Sequence, residues 1–175
     1  MATGSFDDFV QREIDAARKS DGSSIDWERE KAEWLRQLDT LHERLSAFLK
    51  PYIDAGQIST STSPFELNEE HLGPYTAPQM SIAIGSKTVT LEPMGTVQVG
   101  NRGRVDIACN LARAMMILVE SGTVGQLLPS SGLGKPQAST KSLATGRWVW
   151  KIVNRDTVDL TRENFQTLLV EIARG

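Results

Sequence analysis

Residues 27–52 read WEREKAEWLRQLDTLHERLSAFLKPY, and their spacing decides how the rest of the chain must fold. Trp27, Lys31, Trp34, Leu38, Leu41, Leu45, Phe48 and Tyr52 alternate gaps of four and three residues without a slip. Such a pattern draws one stripe along a helix that, at about 1.5 Å per residue, is on the order of 40 Å long. Lys31 alone breaks its apolar rule. In heptad terms the next column holds Glu28, Leu35, His42 and Leu49, and its two leucines widen the stripe. A stripe that wide predicts burial against a sheet or bundle core, with a coiled coil between two copies as the alternative. The opposite face, Arg29, Arg36, Glu43 and Lys50, reads as solvated. Asp26 is placed to cap the helix, and Glu28 and Glu30 suit the positive end of its dipole. Pro51 predicts an end or a kink near Lys50, and Gly56 a stop for whatever continues.

Upstream, Phe6, Phe9, Val10, Ile14 and Ala17 recur at helical spacing and predict a short amphipathic helix over about 6–19. Downstream, residues 57–76 (QISTSTSPFELNEEHLGPYT) are polar and turn-rich and read as a linker between a helical segment, 1–56, and a sheet domain, 77–175. In that domain Met80, Ile82 and Ile84 alternate with small residues, Gly85-Ser86 supplies a two-residue turn, and Val89 and Leu91 alternate on the return. Pro93–Gly95 reads as a turn, followed by Val97 and Val99 and a second turn at Gly100–Gly103. Val105, Ile107 and Cys109 face one way while Arg104, Asp106 and Ala108 face the other. Residues 112–120 fit a buried strand, although their Ala and Met content leaves a helix open. Trp148, Trp150 and Ile152 mark the last expected strand. Thr161 caps a closing helix whose apolar face is Phe165, Leu168, Leu169 and Ile172, with Leu160 and Phe165 as a hydrophobic staple.

Residues 121–146 are the exception to this order: fifteen of the 26 are Gly, Ser, Thr or Pro, which predicts a long flexible loop. Within it Gly132-Leu133-Gly134-Lys135 invites a phosphate-loop reading. That motif would need glycine at Pro129 and Ser or Thr at Pro136, so the chain lacks it. Glu66, Glu69, Glu70 and His71 cluster in sequence at no spacing suited to a cation loop. With two histidines and one cysteine, zinc coordination of the usual type is not expected. Cys109 shares a strand face with Val105 and Ile107 and reads as a small buried hydrophobe rather than a nucleophile. Trp27, Trp34, Trp148 and Trp150 sit where helix and sheet would meet, which predicts an aromatic core. No motif calls for a cofactor.

Net charge is −3, unevenly spread. Residues 1–72 hold 8 Lys and Arg against 15 Asp and Glu; residues 73–175 hold 11 against 7. Arg102, Arg104, Lys135, Arg147 and Lys151 lie in the basic part and form the candidate site for an anionic ligand or partner. An acidic chain is a poor general nucleic-acid binder. Ala114–Val119, the longest apolar run, is too short to span a bilayer, and the first residues lack the pattern of a secretion signal. With a lone cysteine, these features predict a cytoplasmic protein.

The expected architecture is α+β: two N-terminal helices, the second long and heptad-patterned, a five- or six-stranded mainly antiparallel sheet, and a C-terminal helix. The expected function is non-enzymatic: an interaction or regulatory protein that holds a protein partner, or a second copy of itself, through the long helix or the basic sheet face. The alternatives are an anionic small-molecule or nucleotide binder with 121–146 as its lid, and a structural subunit of a larger assembly.

Overall fold

Asp26 starts the long helix. Its carboxylate accepts a hydrogen bond from the Arg29 N–H at 3.1 Å, satisfying one donor of the first turn. The computed structural model describes Phe6 and residues 9–12, 26–96, 102–121 and 147–175. The described part of the expected first helix, Phe6 and residues 9–12, is helical, and the remainder of that expectation lies outside the described residues. Helix α1 spans Trp27–Asp54. Seven strands follow: β1 (Ile58–Glu69), β2 (Gly73–Ile84), β3 (Lys87–Gly95), β4 (Arg104–Cys109), β5 (Ala112–Glu120), β6 (Trp148–Val153) and β7 (Thr157–Asp159). Helix α2 (Arg162–Arg174) ends the chain. Each strand pairs antiparallel with the next, so the sheet is one sequential meander. Among the described residues no helix is long and apolar enough to cross a membrane.

The stripe on α1 is intramolecular core. Trp34, Leu38, Leu41 and Leu45 are fully buried, and His42 and Leu49 join them, so the buried width matches the three-column pattern. Tyr52, counted in the seam, is 44% exposed, because the stripe has left the sheet by the last turn. Pro51 does not end the helix at Lys50. It removes a single donor in the final turn, its own carbonyl still accepts from Ala55 N–H at 3.2 Å, and Lys50 pairs with Asp54. Gly56, at φ 71°, turns the chain away.

Helix α1 lies against β1 and β2, while α2 lies against β3, β4 and β5 and touches α1. The helices meet where Phe48 and Phe165 stand 6.3 Å apart and Gln166 donates to the Phe48 carbonyl. Trp34 stands 6.2 Å from Trp150 and rests on Gly103, where a Cβ would come within 2.4 Å of its ring. The Thr161 hydroxyl accepts from Asn164 N–H, and Leu160 and Phe165 are both buried, as the staple requires.

Two readings of local structure change. Residues 57–76 are not a linker: they form β1 and the first part of β2, paired over twelve rungs from Ile58–Ile84 to Glu69–Gly73. A ribbon with one long side in water needs no apolar alternation, so Ser and Thr carry it where a core strand would use Val and Ile. Likewise Pro93–Gly95 continues β3 through an irregularity in its pairing with β4, and the turn expected there is absent. With β1 and the short β7, the strand count among the described residues is seven. Residues 112–120 are a strand, buried on both faces from Met116 to Val119.

Prolines set the shape of this sheet. The two-residue turn Gly85-Ser86 closes on the pair Ile84–Lys87, and such a closing pair exchanges both backbone bonds. Parity then directs the N–H and C=O groups of even-numbered β2 residues and odd-numbered β3 residues at each other. The last such rung is Met80–Leu91. The next would set Pro78 opposite Pro93, neither of which has a hydrogen to donate, and there the ladder stops. Pro64 faces Pro78 on the β1 side of the same level. Beyond this row the β1–β2 ribbon is free of β3, and its inward side changes. Before the row Met80 and Ile82 are buried; after it the buried or half-buried residues are Ala77, Tyr75, Leu67 and Phe65, of opposite parity. The ribbon rolls across the first turns of α1 and brings Glu69 to the end of β3.

With Leu41 fully enclosed, Leu41→Asp places a lone carboxylate in the core. It should unfold the domain, at a cost of several kcal/mol, about the range for an unpaired buried polar or charged group. Circular dichroism with sedimentation checks this; a folded monomeric variant contradicts it.

Candidate interaction surface

Cross-strand register brings two of the expected cations together. Arg104 pairs with Ile117, Ile117 with Lys151 and Lys151 with Asp159, so all four share one row on the face away from the helices. Arg104 and Lys151 are two strands apart, about 10 Å. Each has a local carboxylate: Arg104 Nε lies 2.5 Å from Asp106, and Lys151 Nζ 2.5 Å from Asp159. Arg147 is exposed at the start of β6, where its carbonyl accepts from Ser121 N–H. Lys135 and the expected lid, apart from Ser121, lie outside the described residues.

Arg102 leaves the group. The chain bends ahead of β4, and the Arg102 guanidinium passes to the helix side, where it lies 2.6 Å from Glu30 with both side chains buried. Glu30 stands on α1 beside the seam, a column the heptad reading gave no role. A second clasp closes next to it. The Glu69 carboxylate accepts from the Tyr75 hydroxyl and, at 2.9 Å each, from the N–H and hydroxyl of Thr96. Gly95, at φ 119°, supplies the irregularity at the end of β3 and the room, since a Cβ there would meet the Glu69 carboxylate at 2.8 Å. Burial, and then the adjoining Glu69, push the Tyr75 phenol well above the usual tyrosine range. His71, read as a solvated side chain, stacks on Trp27 with ring centres 4.7 Å apart. Burial lowers the His42 imidazole below its ordinary value, against an opposing pull from Asp39. The clustered Glu66, Glu69 and His71 therefore diverge in space: Glu66 is exposed while Glu69 is held inward. Among the described residues no group of three or more His, Cys, Asp or Glu side chains converges to hold a metal.

What remains open is an edge. Among the described residues, β1 and β7 are the strands that lack a neighbour on one side. The β7 edge is three residues long and bounded by Asp156 and Asp159. The β1 edge is twelve residues long, and its first half, ISTSTS from Ile58 to Ser63, carries no charge. Backbone parity fixes which groups it presents. Ile84 spends its N–H and C=O on Lys87, so the Ile58–Ile84 rung is unbonded and even-numbered β1 residues point outward. Thr60 and Thr62 thus offer both donor and acceptor to an incoming chain. Pro64 offers an acceptor alone. Long, flat, uncharged edges are what natural sheets usually shorten, charge or cover. Sequence reasoning missed this surface because it read 57–76 as a linker; the Thr and Ser alternation after Gly56 was the available signal.

No protein-family model, curated protein or solved structure matches this chain.

If Arg102 serves the Glu30 clasp, Arg102→Ala takes the cation from a buried carboxylate and should cost about 3–5 kcal/mol in urea unfolding. Replacing both Glu30 and Arg102 with leucine should cost less than either single replacement. Unchanged stability in Arg102→Ala would contradict the clasp.

Proposed function

We propose that this chain acts by binding: it is an interaction protein whose partner supplies an extended segment to the open edge of β1. The observation that carries the reading is the contrast between the two sheet edges. One is three residues long and flanked by carboxylates; the other presents six uncharged residues with outward backbone groups. Strand addition of this kind takes affinity from main-chain hydrogen bonds and specificity from alternate side chains. The long helix is not the partner surface in this reading, because its stripe is occupied by the sheet. The outer sheet face ranks second, because Arg104 and Lys151 already have Asp106 and Asp159 as partners.

The test is affinity capture from the native host with three forms of the protein. Thr62→Pro removes an outward N–H while leaving the β1–β2 ladder its bonds. Arg104→Glu with Lys151→Glu reverses the charge of the outer face. A partner bound at the edge should be held by the wild type and the charge variant, and weakened roughly tenfold, about 1.4 kcal/mol, by Thr62→Pro. Loss with the charge variant and retention by Thr62→Pro would move the partner to the outer face and overturn the reading.

A further inference from the structure

Resting on the edge reading, we infer that the segment paired to β1 is β1 of a second copy, joined antiparallel about a two-fold axis through Ser61. The basis is the symmetry of the strand itself. From Ser59 to Ser63 the sequence is STSTS, identical in both directions. Centred on Ser61, antiparallel pairing sets Thr60 of one copy against Thr62 of the other, Ser59 against Ser63, and Ile58 against Pro64. The outward groups agree with that register. Ser61 points its backbone at β2 and belongs on the unbonded rung at the axis, while Thr60 and Thr62 point outward and fall on the rungs that exchange both bonds. A register displaced by one residue would face outward groups with inward ones.

Charge and side-chain chemistry agree with the same axis. Ser opposite Ser and Thr opposite Thr are cross-strand pairs that hydrogen-bond favourably. The nearest charge on the strand is Glu66, which this register sets against Gly56; Asp54 falls opposite Asn68. No like charges meet. Pro64 limits the contact: it accepts from the N–H of Ile58 and returns nothing, so the pairing is confined to 58–64. The contact is isologous, the same patch on both copies, and it joins two seven-stranded sheets edge to edge. A contact of this length buries less than the roughly 1,200 Å² of a stable specific interface, so the dimer forms and dissociates with concentration.

Sedimentation velocity across a micromolar-to-millimolar series tests this. The wild type should pass from monomer to dimer. Ser61→Lys and Ser61→Glu change an exposed side chain at the axis and leave every backbone bond in place, with circular dichroism to verify the fold; each alone should stay monomeric. An equimolar mixture of the two should restore the dimer, because opposite charges then meet across the axis. A wild type that stays monomeric throughout, or a dimer that survives Ser61→Lys, overturns the second copy as occupant. In either case loss of a captured partner on Thr62→Pro would still support the edge as a docking site, so the two failures are separable.

Discussion

A level of three prolines, Pro64, Pro78 and Pro93, constrains the whole sheet. Two of them face each other across β2 and β3, where a rung would need a donor from at least one side. Without one the ladder ends at Met80–Leu91, and β1 with β2 becomes a free two-stranded ribbon. A two-stranded ribbon takes more twist than a strand fixed on both sides. It uses that freedom to roll over α1, which changes its inward parity and turns Tyr75 and Glu69 toward the helix. If β2 stayed paired to β3 along its length, Glu69 would not reach Thr96.

Once the ribbon has rolled, a buried ion pair fixes the N-terminal half of α1 to the sheet, and a part-buried clasp fixes the ribbon that lies over it. Glu30 reaches Arg102 just ahead of β4, and Glu69 ties the ribbon tip to Tyr75 and Thr96. Trp34 lies between them on the bare backbone of Gly103. Both are polar fastenings, and burial makes the Glu30–Arg102 pair intolerant of losing a single partner. At its other end α1 is held by apolar contact with α2, through Phe48 and Phe165.

The core was legible wherever one face of an element is buried and the other wet. The α1 stripe, the Met80–Leu91 hairpin, the parity of Val105 and Ile107, and the Thr161 cap all follow from that condition. It fails at β1, whose side chains are mostly in water, so Ser and Thr alternate without an apolar signature and the strand resembles a turn-rich connection. It fails differently at Arg102. A charge in a basic stretch reads as surface until the bend before β4 is known, and its partner Glu30 is 72 residues away. Arg104 and Lys151 were placed correctly on one face by parity; their pairing with Asp106 and Asp159 depends on side-chain reach, which spacing does not determine.

The open edge is the central claim, and residue-resolved amide exchange along β1 tests it most directly. Ser59, Ser61 and Ser63 donate toward β2 and should exchange slowly at every protein concentration. Thr60 and Thr62 should exchange near unprotected rates in dilute solution and slow as the concentration rises. Protection of Thr60 and Thr62 in the dilute monomer, or rapid exchange of the three serines, would contradict the account.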